Sequence, residues 1–150
     1  MKNYTRFGIM IFTSTLIMFG LMYLNTYQVN HLFFSETRLY MAIMMGAVMA
    51  IIMLAFMLKM YTNRKVNIAI FAGSALVFII AISLVRNQST VDDTSWMKAM
   101  IPHHSIAILT SERANISDPR VRDLADSIIE AQRKEIKEMK ALINDIEEKE

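Results

Sequence analysis

The segment Trp96-Met97-Lys98-Ala99-Met100-Ile101-Pro102-His103-His104 sets two thioethers and two imidazoles within nine residues. On a helix, Met97, Met100 and His104 stand at i, i+3 and i+7, hence on one face, and Met100 and His103 are i, i+3 neighbours. Adjacent histidines point about 100° apart on a helix of ~3.6 residues per turn, so they share an ion only if the chain is distorted at Pro102. Thioether sulfur with imidazole nitrogen suits Cu(I), or silver as its analogue, and suits hard, oxygen-seeking ions poorly. Met139, on a partner helix, could supply a further sulfur. A second reading makes Met97, Met100 and Met139 core residues and hydrogen-bonds the two histidines to an acidic partner helix. His31, alone in a loop, reads as solvent-facing.

Catalytic groupings are absent. A di-iron carboxylate bundle needs Glu-x-x-His pairs, and neither His103 nor His104 follows an acid by three residues. No Ser/His/Asp spacing or Gly-rich phosphate loop occurs, and the absence of Cys excludes thiol catalysis, thiolate metal sites and disulfides. The chain therefore reads as a binding protein, not an enzyme.

Two helices must position these side chains. One starts near Asp93, Thr94 or Ser95, all good N-cap types, and fades near Asn115. Pro102 either kinks it or occupies the first turn of a second helix. Ser117-Asp118-Pro119 then opens a helix expected over Pro119–Glu147. Its expected inner seam is Val121, Leu124, Ile128, Gln132, Glu135/Ile136, Met139, Leu142/Ile143 and Ile146. A hairpin of this size has little core of its own, so pairing of two hairpins into a four-helix bundle is expected.

Two spacings together carry a resemblance. They are Met97-x-x-Met100-Ile101-Pro102-His103-His104-x-x-Ala107-Ile108 and Val121-x-x-Leu124-Ala125-x-x-Ile128-Ile129-x-x-Gln132-x-x-Glu135-Ile136-x-x-Met139. Residues of about 93–145 thereby resemble the bacterial ferritin-like family called domain of unknown function three hundred and five, which includes CopM-like copper-binding proteins. The resemblance implies a helical, extracytoplasmic module, with copper held in some members by Met and His. Carried over by position, the implied ligands are Met97, Met100, His103, His104 and Met139. The family often has a further Met shortly after the paired histidines, where this sequence reads Leu109-Thr110. Gln132 and Glu135 match the motif as polar groups of the bundle interior, with the histidines as partners across the hairpin.

The rest of the chain is membrane-like. Residues 1–86 hold seven Lys/Arg and one acid, net +6, whereas residues 87–150 hold nine Lys/Arg and thirteen acids, net −4. The pI of 8.9 averages these unlike halves and does not argue for nucleic acid. Uncharged runs cover 7–24, 39–58 and 66–85. At ~1.5 Å per residue each can cross a hydrocarbon core of about 30 Å, and only a helix satisfies its own backbone there. An all-α chain follows, with three transmembrane helices, a linker at 87–93 and a module at 94–150. Lys2, Arg6, Lys59, Arg64 and Lys65 flank one side of the spans, against Arg38 and Arg86 on the other. The positive-inside tendency puts the N-terminus in the cytoplasm and the module outside, and the resemblance implies that the membrane is a bacterial plasma membrane.

Met41, Met45, Met49, Met53 and Met57 recur every fourth residue of the second span. This stripe suits adaptable packing, or a thioether ladder in a small copper transporter. Ala69 and Gly73 hint at close helix contact on the third span. The expected function is a membrane-anchored Cu(I)-binding protein for metal tolerance or handover. Its partners would be the bilayer, a second copy and a copper donor or acceptor. The alternatives are a metal-free interaction module that dimerises through its acidic hairpin, and the transporter.

Overall fold

The computed structural model describes residues 2–149. Among these the chain is all-helical, as expected: α1 Lys2–Leu21, α2 Glu36–Phe56, α3 Arg64–Asn87, α4 Asp93–Arg113 and α5 Pro119–Glu147, with a single 3-10 turn at Val29–His31. Contacts divide it into two compact units. Met1–Met22 and Thr37–Thr90 form one, and Tyr23–Glu36 and Val91–Glu150 form the other.

In the first unit, Asn3–Leu21, Glu36–Phe56 and Arg64–Asn87 are each long and apolar enough to cross a membrane. The first helix ends at Leu21, not near residue 24, because the chain turns there and Thr26 Oγ1 donates to Tyr23 O. The buried stripe of α2 is Ala42, Gly46, Ala50 and Leu54, with Ala47 beside it. Gly46 admits α1 closely, since a Cβ there would collide with the Thr15 hydroxyl. The Met row runs next to that stripe: Met53 and Met57 pack on the Phe7–Leu54–Tyr61 cluster, while Met41 is exposed. Close contact at Ala69 and Gly73 is not found. Both are exposed and a Cβ on Gly73 would meet open space, because α1 approaches at Gly46 instead. Tyr4 Oη donates to Asn67 Oδ1 at 2.8 Å and Asn67 Nδ2 donates to Tyr61 O at 2.7 Å, tying α1 to the start of α3.

The second unit is built on the α4–α5 hairpin. Asp92 caps α4 by accepting from the Ser95 N–H, and Asp118 caps α5 by accepting from the Arg120 N–H. Pro102 lies inside one continuous α4 and opens no second helix. Its missing N–H deprives the Lys98 carbonyl of an intrahelical donor, a cost tolerated where the ring is fully buried. The core is Met97, Ile101, Ile108, Ile136, Met139 and Ile143, joined by Met100, Ile129 and Ile146.

The inner face of α5 keeps the expected seam at Ile136, Met139 and Ile143 and departs from it at Val121 and Leu124. Ala125, Ile136, Met139 and Ile143 are buried, whereas Val121, Leu124 and Leu142 are 48%, 59% and 47% exposed. Adjacent apolar pairs at 124/125 and 142/143 leave two rotations open, and the position of α4 selects the second residue of each. The division at residue 86 also groups the first loop with the spans. The contacts instead place Tyr23–Glu36 with the hairpin, and its Tyr27 and Phe33 pack on the hairpin core.

Candidate functional site

Helix α4 turns Met97 and Ile101 inward at a spacing of four, and Met100 reaches the same cluster from the flank. Antiparallel α5 brings Met139 to them. Lys98 Nζ lies 2.6 Å from Glu147 Oε1 and His104 Nε2 lies 2.8 Å from Glu135 Oε2, which sets the register of the two helices. Met97 and Met139 are 5% and 7% exposed. Three thioethers from two helices thus share one apolar cluster.

His104 sits at the edge of this cluster, half-buried. Its Nδ1 lies 2.9 Å from Met100 O. A carbonyl only accepts, so Nδ1 carries a proton and Nε2 is the nitrogen turned to Glu135. Fixing one imidazole nitrogen on a backbone carbonyl is how metal-binding histidines are commonly oriented. Here, however, Nε2 can face an ion only by giving up Glu135. Gln132 Nε2 also donates to Glu135 Oε2, at 3.4 Å, so of the polar pair named by its spacing only Glu135 meets the histidine, and it does so from the exposed surface and not from the bundle interior. His103 is exposed, with its ring centre 6.2 Å from that of His104. Consecutive helical positions diverge, and the proline does not distort α4 enough to bring the two rings onto one point. Of the five residues carried over by position, Met97, Met100 and Met139 share the cluster, His104 bonds the Met100 backbone and Glu135, and His103 stands outside.

The donor chemistry fits a soft cation. Apart from Glu135 the surroundings are thioether and hydrocarbon; thioether sulfur binds Cu(I) or Ag(I) and binds hard ions poorly. Among the described residues no group of three or more His, Asp or Glu side chains is placed to hold a metal ion.

A second polar cluster was not legible in the sequence. His31 is 7% exposed, which corrects its reading as solvent-facing. Its Nδ1 lies 2.9 Å from Ser105 Oγ, and the same hydroxyl oxygen accepts from the Tyr27 N–H at 2.7 Å. Burial, with the nearby Lys140 charge as the lesser cause, pushes the His31 pKa below its ordinary value. Burial also lowers that of Lys140. The available signal was the pair Tyr27 and Phe33, aromatic residues that a purely solvated loop has little reason to carry.

Fold and site define a class: an all-helical chain with three membrane-length helices and a helical hairpin carrying a methionine cluster. The family described as "Domain of unknown function (DUF305)" matches residues 82–150, and the chain belongs to it. A relative, the uncharacterized protein L153 of Acanthamoeba polyphaga mimivirus, is 33% identical over 104 residues, covering 65% of this chain and 68% of that protein. That relative is viral, whereas the resemblance in the motif implies a bacterial setting. No solved structure matches the chain.

Proposed function

We propose that this chain is a membrane-anchored binder of a soft cation, Cu(I) foremost, serving metal tolerance or handover without catalysis. One observation carries the reading: Met97, Met100 and Met139 meet in one cluster, with His104 at its edge. These four residues would hold the ion. Charge placement supports a cytoplasmic N-terminus and a hairpin on the outer side of the cell membrane. There thioethers serve where cysteines would be lost to disulfides. The Met row of α2 lies beside the buried stripe and suits packing better than a conduit.

The test is anaerobic Cu(I) titration of the full chain in detergent against a chromophoric chelator. The wild type should withdraw copper. The Met97→Leu/Met100→Leu/Met139→Leu variant, which conserves volume, should lose at least roughly tenfold in affinity while keeping its helicity. Equal competition by both proteins, or none by the wild type, would overturn the proposal.

A second reading, the metal-free interaction module, is favoured by one observation. Both nitrogens of His104 are already engaged, so packing alone accounts for the ring. This reading predicts helicity and association that are indifferent to copper and lost when His104 is replaced by Ala.

A further inference from the structure

The first loop and the hairpin line a half-open cavity of about 300 Å³, with Tyr27, Gln28, His31, Ile108, Arg133 and Ile136 as its walls. Its hydrogen-bonding polarity follows from the satisfied groups around it. Ser105 is fully buried, and its oxygen accepts the Tyr27 N–H, so its own proton needs an acceptor. Among the described residues the partner at hand is His31 Nδ1. A hydroxyl donating to Nδ1 leaves the neutral ring with its proton on Nε2. That Nε2–H has no protein partner among the described residues and is open to solvent. A donor of this kind is available to an acceptor on a ligand.

The charges around the cavity point the same way. Arg133 presents a guanidinium, of which Nη2 is shared with Glu112. Lys140 stands close enough to His31 to act on it electrostatically and has no ion-pair partner among the described residues. Glu112 offsets one of these two cations, so one positive charge remains. A metal cation is repelled here, and an anion is attracted. The floor, Ile108 and Ile136, is apolar. We propose that this cavity binds an oxyanion group on a short apolar body, a carboxylate or phosphate ester, with His31 Nε2–H and the Arg133 guanidinium as its donors. A planar guanidinium matches the two oxygens of such a group. This site is separate from the methionine cluster and does not depend on the copper reading.

The chain has three histidines, so imidazole nitrogen resonances can be resolved in the full protein. Sodium hexanoate should shift the His31 Nε2 signal and leave that of His103 in place, while hexanol should move neither. Arg133→Gln, at an exposed helical position, should weaken hexanoate roughly tenfold or more. Nanodiscs separate the two sources of the group. If an anionic lipid is the natural occupant, phosphatidylglycerol discs shift His31 with nothing added. If a soluble carboxylate is, phosphatidylcholine and phosphatidylglycerol discs respond alike to hexanoate. An equal response to hexanol, an unaltered response in Arg133→Gln, or no shift with either lipid or hexanoate would overturn the proposal.

Discussion

Methionine and leucine are close in volume and differ in chemistry, so substitution at Met139 separates packing from metal binding. Met139→Leu should change stability by less than about 1.5 kcal/mol, whereas Met139→Ala should cost about 2–5 kcal/mol at this buried site. Denaturant unfolding of the detergent-solubilised chain, followed by circular dichroism, measures both. His31 makes a second prediction. Its pKa in the docked loop lies below the ordinary 6.5, so the docked form holds fewer protons than the free loop through that range. Docking is then fully stabilised above pH 6.5 and is lost as the pH falls from there through the depressed value. Lys140 adds to the cost of a positive charge on the ring. Amide hydrogen exchange over residues 27–31, corrected for intrinsic rates, should show protection falling as the pH drops from 7 to 5. Protection unchanged over that interval would contradict the assignment.

At the scale of elements, α2 is held by what it lacks. Gly46→Ala would drive a Cβ into Thr15, a β-branched residue whose hydroxyl already donates to Ile11 O at 2.8 Å. Overpacking of this kind should cost about 1–3 kcal/mol. Adding Thr15→Ala should recover much of the loss, a coupling that thermal unfolding of both single variants and the double variant would measure. The hairpin depends on its caps in a comparable way. Asp118 accepts from the Arg120 N–H and also pairs with the Arg120 side chain, and these bonds hold its carboxyl below the usual range. Asp118→Ala should fray the first turn of α5, seen as faster amide exchange at Val121 and Arg122, while the core around Ile136 keeps its protection.

Two predictions concern the whole molecule. The chain contains no cysteine, so single cysteines introduced into loops report their own side of the membrane. Thr62→Cys, between α2 and α3, should resist an impermeant maleimide applied to intact cells, and Ser89→Cys, after α3, should react. The reverse pattern would invert the proposed orientation. The four-helix bundle expected from two hairpins would cover the apolar side chains that one hairpin leaves exposed, Val121, Leu124 and Leu142 among them. Leu124→Lys/Leu142→Lys should then convert a dimer to a monomer in light scattering of the detergent complex.

Sequence alone determined the architecture in outline. Uncharged runs of membrane length leave the backbone only helical solutions, and Ser117-Asp118-Pro119 marks the start of α5 because capping chemistry is local. Spacing also placed Met97, Met100 and His104 together, since residues three, four and seven apart share a helical face. Tertiary structure decided what periodicity leaves degenerate. Leu124 and Leu142 equal or come close to their buried neighbours Ala125 and Ile143 in apolar character, and only the position of α4 chose between them. His103 and His104 are equivalent in the motif, yet one ring reaches Glu135 and the other reaches solvent. The meeting of His31 with Ser105, residues 74 apart, has no signature in the spacing of either residue, because it arises from a loop closing on a distant helix.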